Sequence, residues 1–218
     1  MPRESFEREL QRLEGELLEL GGTVENAITE SVQTLKKRDL QGSQSLVDND
    51  RLINKRRYAI EADVLILIAT QQPVAGDLRI LAAILDITHE LERIGDYAKG
   101  IAKISLRIGK GRLIKPLIDI PRMAEKASCM LLRGLDAFIR RDTDLARTLP
   151  SEDDEVDGLY NQVYRELMTY ILADPKNIEG ANSLLWVAHN LERAADRVTN
   201  ICERVIFTVA GEVVELDT

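Results

Sequence analysis

HELERIGD, residues 89–96, returns one hundred positions later as HNLERAAD, residues 189–196. Both read His-x-Leu-Glu-Arg-x-x-Asp, and the chain's two histidines are the ones that open them. The match extends outward. Leu35-Lys36-Lys37-Arg38-Asp39 is echoed 103 positions on by Phe138-Ile139-Arg140-Arg141-Asp142, and Asp50-x-x-Ile53-Asn54 by Asp153-x-x-Val156-Asp157. Self-similarity at a fixed offset marks one supersecondary unit used twice. The offset falls from 103 to 100 between these blocks, so the second copy has lost three residues near its proline turn.

Strand signals are nearly absent, and apolar residues recur at helical spacing. The spacing predicts helices over about Glu4–Lys37, Leu40–Gln71, Ala75–Arg107, Pro121–Arg141, Ser151 to before Pro175, and Asn177–Ala210. Pro73 and Pro175 stop helices, Gly109, Gly111 and Gly211 close them, and Pro116 and Pro121 mark the joint between copies. Gly21-Gly22 is expected to weaken the middle of the first helix, and Ser151 to cap the fifth. The expected architecture is all-α, two similar three-helix bundles over 1–112 and 117–212.

With 218 residues, 44% apolar and 30% charged, the chain can bury a sizeable core. Its net charge of −8 argues against nucleic acid as a partner. The longest apolar run, Val64–Ala69, is too short to span a bilayer, and charges at Arg3, Glu4, Glu7 and Arg8 interrupt any signal peptide. The expected location is the cytoplasm. Cys129 and Cys202 read as buried free thiols rather than a disulfide.

Glu92 and Asp96 share one helical face four residues apart, as do Glu192 and Asp196. Asp50/Asn54 and Asp153/Asp157 have the same spacing on the preceding helices. In an antiparallel hairpin turning at Pro73, Asp50 stands level with Asp96 and Asn54 with Glu92. About a turn between Asp174 and Pro175, Asp153 stands level with Asp196 and Asp157 with Glu192. Each hairpin thus gathers four oxygen-bearing side chains at one height. Clustered carboxylates need a cation, a proton or basic partners. Hard oxygen ligands suit iron, manganese, magnesium or calcium, and a nearby imidazole from His89 or His189 would favour iron or zinc. The alternative is a pair of solvated faces with Arg93 and Arg193 as ion-pair partners. The second register continues into Asn200 and Glu203, where the first has Gly100 and Lys103, so the second site is expected to bind metal more tightly.

The chain resembles the PhoU family of phosphate-signalling regulators over nearly its whole length. The resemblance is carried by Gln72-Pro73-x-Ala75-x-Asp77-Leu78-Arg79, Leu91-Glu92-Arg93-Ile94-Gly95-Asp96, Leu191-Glu192-Arg193-x-x-Asp196-x-x-x-Asn200-Ile201-Cys202-Glu203 and Gly211-Glu212. It implies two three-helix bundles, and metal clusters, often iron, held through Glu92 and Asp96 and through Glu192 and Asp196. Gly100 departs from the family's usual Asn. It further implies a non-enzymatic negative regulator between the phosphate ABC transporter and the phosphate-sensing histidine kinase. Such proteins are commonly homodimers at the cytoplasmic face of the membrane.

A di-metal oxidase or metal-storage bundle is the rival class, but it needs Glu-x-x-His, and Asp86 and Trp186 stand three residues before the histidines. Between Tyr97 and Leu117 no residue is acidic, while Lys99, Lys103, Arg107, Lys110, Arg112 and Lys115 are basic. Lys110, Arg112 and Lys115 form a candidate docking patch for an acidic partner or anionic headgroups; the alternative is a helix C-terminus whose dipole favours cations.

Overall fold

The computed structural model describes residues 2–216. Six long helices carry the chain: α1 (Pro2–Lys37), α2 (Leu40–Gln71), α3 (Ala75–Ile108), α4 (Asp119–Arg140), α6 (Pro150–Ala173) and α7 (Ile178–Ala210). A short α5 (Thr143–Thr148) and a 3-10 turn (Pro175–Asn177) complete the order, and no strand occurs among the described residues. The helices α1, α2 and α3 pack as one bundle, and α4 to α7 as another. The halves join along two seams, α3 on α7 and α1 on α4.

The repeated Arg-Asp pair makes the same turn twice. Arg38 (φ 60°) and Arg141 (φ 57°) adopt the left-handed conformation that closes α1 and α4. Asp39 then accepts from the Gly42 amide to cap α2, and Asp142 accepts from the Leu145 amide to cap α5. Left-handed conformation is costly for a residue with a Cβ, so its recurrence at both arginines fixes the bundle corner.

The second half departs from the expected pattern at one place. Helical conformation begins at Thr143, not near Ser151, and is broken before Pro150 at the first position of α6. Proline has no amide hydrogen to donate into the preceding turn, so the counterpart of α2 is split. Ser151 is no cap; its hydroxyl donates back to the Thr148 carbonyl at 2.7 Å.

Gly21-Gly22 does not interrupt α1. Gly21 lies at the α1–α4 seam, where a Cβ would stand 2.1 Å from Leu135 Cδ1. Gly100 plays a similar part between α3 and α7, with Asn190 Oδ1 3.3 Å from the place its Cβ would take. Both glycines permit close helix approach.

The core follows the two repeated stripes. Leu81, Ile84, Ile87, Leu91 and Ile94 of α3 are fully buried, as are Ala181, Leu184, Val187, Leu191 and Ala194 of α7. Ile53, Ile60 and Val64 of α2, and Val156, Val163 and Leu167 of α6, are buried against them. That burial turns the acidic registers of each hairpin toward one another. Both cysteines are free, but only Cys202 is buried; Cys129 is exposed on α4.

Candidate metal centre

In the first half the acidic register is already compensated. Asp50 on α2 is buried, and Lys99 Nζ, reaching from α3, donates to its Oδ2 at 2.6 Å. The same ammonium stands 3.4 Å from Asp96 Oδ1. Asn54 Nδ2 adds a bond to Asp50 Oδ2 at 3.2 Å. Arg57, one turn further along α2, donates to Glu61 at 2.9 Å and stands 3.7 Å from Glu92 Oε1. The hydrogen bond to Asp50 raises the Lys99 pKa, holding the ammonium charged.

The second half has Asp157 in place of Asn54 and lacks the counterparts of Lys99 and Arg57. Asp153 is 1% exposed, and neither of its carboxylate oxygens has a hydrogen-bond partner. Glu192 Oε2 is likewise buried and unpartnered. Burial, with the negative charges of Asp196, Asp157 and Glu192, pushes Asp153 up to about 7. Burial and Asp196 push Glu192 up to about 7, and burial also raises Asp157. The permanent cation beside them is Arg193, which pairs with Asp196 at 2.5 Å. Unpaired buried carboxylates are costly, and acids that raise one another's pKa across the hairpin call for a proton or a cation.

As placed, no three His, Cys, Asp or Glu side chains among the described residues are gathered as a metal-binding group. Arg193 holds Asp196, and His189 Nδ1 stands 3.4 Å from Glu192 Oε2 beside Trp186. His89 Nδ1 stands 3.5 Å from Glu61 instead. The carboxylate oxygens of Asp153, Asp157, Glu192 and Asp196 are the donor type a hard cation prefers, with Asp196 engaged by Arg193. The first register does not fit one, because Lys99 takes the position between Asp50 and Asp96.

Asn200 and Glu203 line a cleft on α7 with Arg193 and Asp196. They also line a cleft of about 520 Å³ between α3 and α7, with Asp86, His89, Glu90, Arg93 and Arg204, to which α6 contributes nothing. Glu203 Oε1 accepts the Leu216 amide at 3.0 Å, so the C-terminal segment lies over this end of α7. Of the cations expected on the solvated-face reading, Arg193 is engaged, whereas Arg93 is exposed. Lys103 is exposed as well. The residue that matters is Lys99, one turn after Asp96, and its counterpart 100 positions on is Thr199.

The basic stretch after α3 is divided by the fold. Lys110 and Arg112 are exposed and line a cavity of about 750 Å³ with Lys36 and Arg38. Arg38 Nη2 donates to the Gly111 carbonyl at 2.7 Å and to that of Gly109, clamping the loop. Lys115 leaves the expected patch: it is buried and its ammonium is bound to Glu166 of α6.

Two tandem three-helix bundles, each with an acidic register at one height of its α2–α3 or α6–α7 hairpin, define a class of duplicated helical protein with a carboxylate-lined hairpin in each half. The PhoU domain profile matches twice, over residues 17–105 and 120–205, and the chain belongs to the PhoU family. It is 35% identical over 218 residues, all of both chains, to the phosphate-specific transport system accessory protein PhoU homolog of Clostridium acetobutylicum. A homolog of the same description from Caulobacter vibrioides is 37% identical over 95% of this chain and 91% of its own. The crystal structure of the phosphate transport system regulatory protein PhoU from Streptococcus pneumoniae superposes with a TM-score of 0.89 at 30% identity, covering 97% of this chain and 100% of that one. PhoU from Pseudomonas aeruginosa gives 0.89 at 33% identity, with 95% and 100% coverage.

Proposed function

We propose that this protein is a non-enzymatic accessory and negative regulator of phosphate uptake, acting between the phosphate ABC transporter and its phosphate-sensing histidine kinase. The observation carrying this reading is end-to-end likeness to proteins named as accessory or regulatory components of phosphate transport. Among the described residues no helix is long and apolar enough to cross a membrane; attachment to the membrane face runs through those partners in this reading. The working form is a homodimer in the cytoplasm. The second register, Asp153, Asp157, Glu192 and Asp196, takes a hard cation, iron first and manganese, magnesium or zinc as alternatives; the donor-less buried oxygens of Asp153 and Glu192 Oε2 support this.

A pull-down from phosphate-replete cells tests the assignment. The wild-type chain should recover transporter and kinase components, and the Glu192→Ala/Asp196→Ala variant should recover less of them. Recovery of neither component by the wild type sinks the signalling role.

The exposed cations Lys110 and Arg112, with Lys36, form the docking surface for an acidic partner. Reversing both to Lys110→Glu/Arg112→Glu should weaken partner capture by about tenfold and lower its salt sensitivity. Both residues are exposed and lie outside the helices, so the melting temperature should not move. Unchanged capture would assign these cations to the C-terminal end of α3 and nothing more.

A further inference from the structure

The two halves share three acids of the register, with Asn54 standing where the second half has Asp157, but they do not share the same cations. By the repeat offsets, Lys99 corresponds to Thr199 and Arg57 to Tyr160. Lys99 is the ammonium that bonds Asp50 at 2.6 Å, and Arg57 is the guanidinium nearest Glu92. At the counterpart places, Thr199 is buried with its hydroxyl oxygen unpartnered, and Tyr160 is an aromatic ring beside His189. The repeat equivalents of the acids that Lys99 and Arg57 hold, Asp153 and Glu192, carry orphaned buried oxygens. A difference in two cations thus coincides with a difference in satisfied carboxylates.

We infer that Lys99 and Arg57 are built-in counter-ions which close the first half to metal, leaving one cation site per chain, in the second half. Lys99 is the specificity-determining residue: its ammonium lies between Asp50 and Asp96, where an ion bridging the two hairpin helices would have to stand. A tethered ammonium is present at unit occupancy, so a metal must displace it as well as shed its own water. Thr199 offers no charge and is too short to reach across, so the second register stays open.

This rests on the metal reading above, and the experiment separates the two. Full-length, metal-stripped protein is titrated with Mn²⁺ or Fe²⁺ under anaerobic conditions, with bound metal counted by elemental analysis and melting temperature followed in parallel. Wild-type metal should be lost almost wholly in Thr199→Lys, by about 90% or more, because a Lys now neutralises Asp153. Metal content should rise, up to about twofold, in Lys99→Thr/Arg57→Tyr, whose first half then lacks both counter-ions and differs from the second register at Asn54. Without metal at pH 8, Thr199→Lys should melt above wild type and Lys99→Thr below it. Equal metal in both halves of the wild type, or full metal retention by Thr199→Lys, overturns the inference. If no variant and no wild type binds metal, the metal reading fails, and the melting shifts alone decide whether Lys99 is the counter-ion. Absence of both shifts then overturns that role too. Should Thr199→Lys fail to fold, Thr199→Arg and the Lys99 variants supply the same comparison.

Discussion

Asparagine in place of Asp153 should raise the melting temperature of the metal-free protein at pH 8 and flatten its dependence on pH. In the unfolded chain this carboxyl titrates near the ordinary aspartate range of about 4. In the fold, burial and its acidic neighbours push it up to about 7. Between those values the folded state holds a proton that the unfolded state has lost, so stability falls as pH rises. The contribution is fully present below the unfolded value and gone above the folded one, and amounts to about 4 kcal/mol. Glu192, raised to about 7 by the same causes, adds to the trend. At pH 8 the wild-type protein therefore buries charge that Asp153→Asn does not. Its amide also offers donors to Asp157, Glu192 and Asp196, which are acceptors only. A gain of about 2 kcal/mol in Asp153→Asn corresponds to roughly 4–8 °C for a chain of this size. Thermal unfolding at pH 5.5 and pH 8 measures it. Equal melting shifts at the two pH values would mean that Asp153 is not held protonated by its surroundings. Asp50→Asn should behave in the opposite sense, because removal of that carboxylate strands the Lys99 ammonium in a half-buried position.

How much of this was legible in the residues differs by element. The turns were, because Pro73, Pro175 and Gly211 act through backbone geometry that needs no partner. So was the level of the acidic registers, since hairpin pairing follows from helix pitch and the turn position. The ownership of charge was not. Lys99 lies three residues after Asp96, off the four-residue spacing of the motif, and its main partner is Asp50 on another helix. Lys115 reads as one more surface cation until Glu166, 51 residues away, is seen to hold it. Long basic side chains choose partners across space, and a one-dimensional charge run does not report that choice. The paired glycine Gly21 was misread for a related reason. Its low helix propensity is a local cost, whereas the space it leaves for Leu135 is a tertiary gain. Asn200 and Glu203 extend the motif in sequence and line one cleft with Asp196, while a second cleft joins them to α3.

Phe138→Ala should destabilise both halves together. Phe138 is among the largest fully buried side chains, and it sits at the end of α4 where the second bundle meets α1. Arg141 lies over its ring at 4.6 Å and extends to Glu14 on α1, so the ring supports the charged contact that crosses the seam. Truncation to alanine removes a buried aromatic and leaves a cavity, at a cost of about 3–5 kcal/mol. It also removes the surface on which Arg141 rests, and Arg141 must hold a left-handed backbone to close the helix. Phe138→Leu, which keeps most of the volume, should cost about 1–2 kcal/mol. The two halves share the α3–α7 and α1–α4 seams, with Arg197–Glu90 at 3.6 Å and Arg204–Asp86 at 3.4 Å spanning the first. A loss at one seam is therefore felt in both repeats. Amide exchange should show faster opening in α1 to α3 as well as in α4 to α7 of Phe138→Ala. Acceleration confined to α4–α7 would show instead that each bundle opens alone and that the repeat, not the whole chain, is the cooperative unit.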